Sequence, residues 1–237
     1  MEKIGKIVYI NLDKRVRKKN YMERMLPRLD IPFERFPAIQ PSELSLVGQA
    51  GEYCSFFEKA SPRVSSYIVG PQKSVGRGRG VFGCYLSHYK VLEDNLDNAS
   101  MLLILEDDAI VKPEDIAFAE GYISNRPDKD WDIIRSLKRE HTRKKIKFKN
   151  RLYKFNCPNR QSVFVSKGKR RNRIHGGTHF CLINKSKTRK ILEYLKEERV
   201  YNIDSIYSTD RINSYALNFP RGDLSHKKWK KKSDIPK

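Results

Sequence analysis

The chain has 237 residues, 38% hydrophobic and 11% aromatic, enough to bury a core of mixed class and too short for three domains. Its 49 Lys and Arg against 28 Asp and Glu give a formal charge of +21 at pH 7, which points to an anionic partner: nucleic acid, an anionic membrane face or an acidic substrate. The apolar run 101–105 is far below the roughly 18–20 residues that cross a bilayer, and the first twelve residues lack the cleavage site of a secretory signal.

Residues 4–12 are β-branched and read as a first strand, followed by a helix over 14–29 that carries Val16, Tyr21, Met25, Leu26 and Leu29 at helical spacing. Prolines 27, 32, 37 and 41 interrupt the next stretch of chain, with a second strand at 33–36. From 40 to 80 the pattern dissolves into Ser, Gly and Pro and ends on Gly76-Arg77-Gly78-Arg79-Gly80, which predicts an irregular, mobile stretch. A helix is expected over 83–96. The buried strand 101–105 runs straight into Glu106-Asp107-Asp108. Short strands are expected at 131–134 and 177–184, and an amphipathic helix at 186–198 through Ile191, Leu192 and Leu195. Alternating strands and helices favour an α/β sheet that binds its ligands at strand ends.

Two stretches stand outside this order. Residues 138–173 hold 15 Lys or Arg and one acid, Glu140, with aromatic and β-branched residues interleaved, and read as a basic hairpin or insertion. Residues 221–237 hold seven Lys or Arg around Trp229 and are expected to form a disordered or surface-lying tail. Cys54, Cys84, Cys157 and Cys181 form no CxxC pair, which argues against a zinc knuckle or a disulfide scaffold and suits a reducing cytoplasm.

The sharpest chemistry is Glu106-Asp107-Asp108, since three adjacent acids after an apolar strand call for a cation. Oxygen ligands of this kind suit Mg²⁺ or Mn²⁺ bridging carboxylates to phosphates. The same triplet also reads as an acidic turn. The glycine-arginine run is neither a P-loop nor a dinucleotide fingerprint; it reads as a flexible connector in preference to a loop closing arginines on a diphosphate. Ser87 and His88 contact a ligand or simply cap and pack. His175 and His179 have HxxxH spacing, but Gly176 and Gly177 between them disfavour the helix that such a zinc pair needs. A glycine turn presenting Thr178 to substrate is the better reading. Asp204 reads as a general base or as an acid capping a following helix.

Taken in order, Ile7-Val8-Tyr9-Ile10-Asn11-Leu12-Asp13-Lys14-Arg15, Gly83-Cys84-Tyr85-Leu86-Ser87-His88, Leu102-Leu103-Ile104-Leu105-Glu106-Asp107-Asp108, Trp131-Asp132-Ile133-Ile134 and Gly177-Thr178-His179-Phe180-Cys181-Leu182-Ile183 resemble glycosyltransferase family 25 over about residues 5–212. This family includes bacterial lipooligosaccharide galactosyltransferases and animal collagen galactosyltransferases. The resemblance implies a GT-A-like, Rossmann-type mixed sheet flanked by helices, a single domain over 1–220 with the basic insertion inside it. It further implies a UDP-sugar donor, usually UDP-galactose, and transfer with inversion. Asp108 would then bind Mn²⁺ (or Mg²⁺), Glu106 or Asp107 would hold the ribose or a metal-bound water, and His226 could be a third ligand or a solvated tail residue. Asn11, Leu12, Arg15, Ser87 and His88 would border the nucleotide, Gly176, Gly177 and Thr178 would line the acceptor side, and Asp204 would be the base. Val81 stands where the family commonly has Glu, so one donor-site ionic contact is absent.

The resemblance also implies a glycan or glycolipid acceptor at the inner face of a bacterial inner membrane, with the basic tail on anionic headgroups. A nucleic-acid-binding protein would explain the charge, but not acids at the end of a central strand, where they repel phosphate unless a metal intervenes. A relative that has lost activity is the third reading.

Overall fold

Strands that are apolar on both sides, such as 101–105, must be covered on both faces. The computed structural model shows how. It describes residues 3–40, 56, 72–125, 130–137, 162–164, 176–198, 202–209, 211–217, 219–220 and 224. In chain order these form β1 (Ile4–Asn11), α1 (Val16–Met25) running into a 3-10 turn (Leu26–Leu29), β2 (Phe33–Pro37), α2 (Gln72–Asp94), β3 (Met101–Glu106) and α3 (Pro113–Ser124). They continue as β4 (Ile133–Leu137), β5 (Ser162–Phe164), β6 (Gly176–Ile183), a 3-10 turn (Lys185–Lys187), α4 (Thr188–Glu197), α5 (Ile203–Ile206) and β7 (Ser214–Leu217).

The strands make one seven-stranded mixed sheet in the order β2-β1-β3-β6-β4-β7-β5. β1 runs parallel to β2 and β3, and β4 parallel to β7, whereas β6 is antiparallel to both β3 and β4, and β5 antiparallel to β7. The carboxyl ends of β1, β3, β4 and β7 therefore share one edge with the amino end of β6. Pairing of Leu105 with Phe180 and of Ser136 with Gly177 brings the start of β6 beside the end of β3.

Alternation along each strand feeds two cores. Val8, Ile10, Leu102, Ile104, Cys181 and Ile183 face α2 and α4, where Tyr85, Leu86, Leu92, Ile191 and Leu195 are buried. Ile7, Tyr9, Leu103, Leu105, Phe180 and Leu182 face α1 and α3 through Met22, Met25, Ile116 and Tyr122. Each buried Leu or Ile contributes about 1.5–3 kcal/mol. α3 starts sharply because Pro113 fits the first turn and the Asp115 carboxylate accepts the Lys112 N–H at 2.8 Å. One oxygen of buried Asp132, Oδ2, accepts from Lys190 Nζ at 2.6 Å and the Asn213 N–H at 2.8 Å, tying α4 and the residue before β7 to the start of β4.

Several expectations change. The helix expected from 83 begins at Gln72, so Gly76, Gly78 and Gly80 lie within α2 and not in an irregular stretch. Its amphipathic signal weakens there because the glycines and arginines supply no apolar stripe. Residues 176–178 are the opening of β6 rather than a turn, since Gly176 and Gly177 pair with Leu137 and Ser136. The strand expected at 131–134 runs from Ile133 to Leu137. β7 went unpredicted. The basic insertion lies outside the described residues except for 162–164, which form the edge strand β5. The tail also lies outside them except for Leu224, which is buried and accepts the Ile110 N–H at 2.6 Å, so the chain is still docked there rather than loose from 221.

Candidate active site

The three acids fall at the shared edge, one at the end of β3 and two in the turn after it, and each meets a different environment. Asp107 is buried and bound by cations. Asn11, the last residue of β1, donates its amide to Asp107 Oδ2 at 2.9 Å; Arg15 reaches Oδ1 at 3.2 Å and Lys18 reaches it at 2.8 Å. The turn that aims Arg15 is closed by its N–H on the Leu12 carbonyl at 2.8 Å. Arg35 from β2 donates to Asn11 Oδ1 at 3.2 Å and also pairs with Asp13. Asp107 thus fixes two cations, Arg15 and Lys18, beside the sheet edge.

Glu106 is partly buried and accepts a hydrogen bond from Thr178 at the start of β6. His88 Nε2 lies 3.8 Å and Cys84 Sγ 3.9 Å from the same oxygen, Oε1. Burial alone would raise its pKa. The nearby His88, the Thr178 hydroxyl and His179 overcome that and bring it down to about 2. Asp108 moves the opposite way: burial first, then the Glu106 charge, raise its carboxyl above the usual range. Its Oδ1 is buried with no hydrogen-bond partner among the described residues. Neighbouring carboxyls pushed apart in this way mark a chemically active edge.

Ser87 is buried, with its hydroxyl donating to the Gly83 carbonyl at 2.7 Å and accepting the Ile39 N–H at 2.9 Å. Its local partners thus anchor the segment after β2 to α2. His88 is wholly buried, with Nδ1 3.4 Å from the Tyr207 hydroxyl. Gly177 has a steric reason to be glycine: a Cβ there would overlap the ring of His179, whose Nε2 lies 2.9 Å from Ser136 Oγ.

Asp204 sits in the first turn of α5, which is capped by the Asn202 side chain accepting the Asp204 N–H at 3.2 Å, so the cap is Asn202 rather than Asp204. Burial first, then the charges of Glu106 and Asp204, push up the thiols of Cys84 and Cys181. The residue that holds α5 in place is Arg135 on β4. Fully buried, it donates to the Asp204 carbonyl at 3.1 Å, the Tyr207 carbonyl at 3.2 Å, Ser208 Oγ at 2.7 Å and Ser214 Oγ at 3.1 Å. Sequence reasoning missed Arg135. Nothing in its own stretch marks it, although an Arg among apolar strand residues is a cue to look for buried acceptors. His226 lies outside the described residues.

The model of glycosyltransferase family 25 (LPS biosynthesis protein) matches residues 5–207, which spans the acid edge, α2, β6 and α5. The chain belongs to glycosyltransferase family 25. The family 25 chain is thus a glycosyltransferase, and its helix-flanked mixed sheet is consistent with a GT-A-like fold. No curated protein matches it.

A divalent cation fits the acid edge. The unpartnered Asp108 oxygen, with its carboxyl pKa raised by burial and by Glu106, is the kind of atom that a hard cation satisfies, and Glu106 would be the adjacent oxygen ligand. Asp107, by contrast, is committed to Asn11, Arg15 and Lys18, and Glu106 accepts from Thr178, so the open oxygen among the three acids is that of Asp108.

Proposed function

We propose that this glycosyltransferase moves a hexose, galactose from UDP-galactose, onto a lipopolysaccharide-type surface glycan with inversion at the anomeric carbon. The observation that carries the reading is the buried, unpartnered oxygen of Asp108 beside Glu106 at the sheet edge, within a chain of family 25. Asp108 and Glu106 would hold Mn²⁺ or Mg²⁺, which when bound neutralises the diphosphate as it departs.

The protein's own residues supply the rest. Arg15 and Lys18, fixed by Asp107, offer positive charge to the donor phosphates, and Asn11 and Leu12 bring the end of β1 beside the nucleotide. Thr178, on the strand next to Glu106, borders the acceptor side with Gly176 and Gly177. Inversion needs a base opposite the leaving group, and Asp204, positioned through Arg135, takes the proton from the acceptor hydroxyl at its carboxylate oxygen. Residues beyond Leu224 dock the enzyme on the anionic cytoplasmic face of the inner membrane, where five lysines flank Trp229.

The test is a screen of UDP- and CMP-sugars with Mn²⁺, reading thermal shift and slow donor hydrolysis, with Asp108→Ala as control. A shift confined to UDP-hexoses and lost in the variant supports the reading. No donor preference, or hydrolysis untouched by the substitution, overturns it.

A further inference from the structure

We propose that Cys84, His88 and Glu106 form a second cation site, one that takes a soft divalent transition metal such as Zn²⁺ or Co²⁺ and differs in chemistry from the oxygen-ligated cation assigned to Asp108. Cys84 and His88 are one helical turn apart on α2, so both side chains stand on one face, and that face meets Glu106 at the end of β3. The three ligand atoms lie within 4.8 Å of one another. Metal bonds of about 2.0–2.3 Å in a tetrahedron separate ligand atoms by roughly 3.3–3.8 Å. The 3.8 and 3.9 Å from His88 and Cys84 to Glu106 therefore need only a small contraction.

His88 aims at this point. The side chain is wholly buried, and its Nε2 makes no hydrogen bond among the described residues, facing Glu106 across a gap too long for one. Its other nitrogen, Nδ1, is against the Tyr207 hydroxyl, the outer partner that leaves Nε2 to present its lone pair. Cys84 and Glu106 are only partly buried, which gives an ion a way in. Thiolate and imidazole select zinc or cobalt over magnesium or manganese, so the two cations do not compete on equal terms. Binding exchanges the thiol proton for the ion, and that proton leaves to solvent.

Cobalt titration of the full chain tests this independently of any sugar-transfer activity. Addition of Co²⁺ is expected to give a thiolate-to-cobalt charge-transfer band in the near ultraviolet that saturates at one ion per chain. Zn²⁺ should abolish it and excess Mg²⁺ should not. The band should be lost in Cys84→Ser, be retained in Asp108→Ala and survive in Cys54→Ser/Cys157→Ser, which removes the cysteines outside the described residues. Absence of the band in the wild type, its persistence in Cys84→Ser or its loss in the double variant overturns the site. If Cys84→Ser does not fold, the wild type and the double variant decide.

Discussion

Asn11 at the end of β1 donates its side-chain amide to Asp107 beyond the end of β3 at 2.9 Å, while Arg35 on β2 holds the oxygen of the same amide. Three neighbouring parallel strands are thus tied together at the edge where the acids stand, and Arg15 and Lys18 are oriented by the same carboxylate. Asn11→Ala breaks the link at both ends. It is expected to cost about 1–3 kcal/mol, because a buried carboxylate oxygen and Arg35 each lose a partner, and to raise KM for the sugar donor more than it lowers kcat. Urea unfolding and initial-rate kinetics check this; an unchanged midpoint with unchanged KM would show that the link is idle.

Asp108 tests the cation. Its carboxyl pKa is raised in the folded chain, so the charged form is less stable there than in the unfolded chain. In the absence of metal, Asp108→Asn should therefore stabilise by ~1 kcal/mol, a Tm increase of about 2–4 °C. The same variant should lose the Tm increase that Mn²⁺ gives the wild type. A lower Tm without metal, or an intact Mn²⁺ response, contradicts the assignment.

Glu106 sets an acid limit. Its folded pKa of about 2 lies below the unfolded value near 4.3, so its contribution is fully present above the unfolded value and is lost as pH falls toward 2. Unfolding midpoints taken from about pH 5 down to 3 should fall more steeply in the wild type than in Glu106→Gln. Parallel slopes would mean that His88 and Thr178 do not hold the charge.

Arg135 is buried with four hydrogen bonds to α5, the turn after it and β7. Arg135→Met removes them all and takes the Arg donor from the buried Tyr207 carbonyl, with an expected cost of about 3 kcal/mol. Arg135→Lys keeps the charge but not the fork, and should keep the fold while shifting the acidic limb of the kcat profile that Asp204 sets. A Lys variant with wild-type kcat across pH would leave Arg135 a purely structural residue.

The six lysines in 227–237 predict binding to anionic vesicles, at about 1 kcal/mol per basic residue near the surface. Truncation after His226 keeps buried Leu224 and should abolish sedimentation with anionic vesicles while leaving Tm unchanged. Retained sedimentation would move the contact to another basic stretch, 138–173 being the first to examine.

Much of the fold was legible in local pattern. β1 and β3 declared themselves through apolar runs, and the acids after Leu105 marked the edge because three like charges in a row at the end of a buried strand have few structural uses. The features that stayed hidden depend on partners distant in the chain. The first turns of α2 contain three glycines at alternate positions, and local propensity argues against a helix there. β7 is four residues long and pairs with β4 some 80 residues away, so no local signal announces it. Arg135 looks like an ordinary polar strand residue until α5 and β7 supply four acceptors. The division of labour among Glu106, Asp107 and Asp108 was likewise invisible, since it depends on which basic residues and hydroxyls reach each one.

Strand direction carries a last consequence. Leu137, where β4 ends, and Ser162, where β5 begins, pair with Gly176 and Leu217, placing both anchors of the intervening chain on the edge that bears the acids. The chain between them, residues 138–161, therefore leaves and re-enters the sheet on that edge. Its length can double for a closure cost of only about 0.6 kcal/mol, and no strand register has to move.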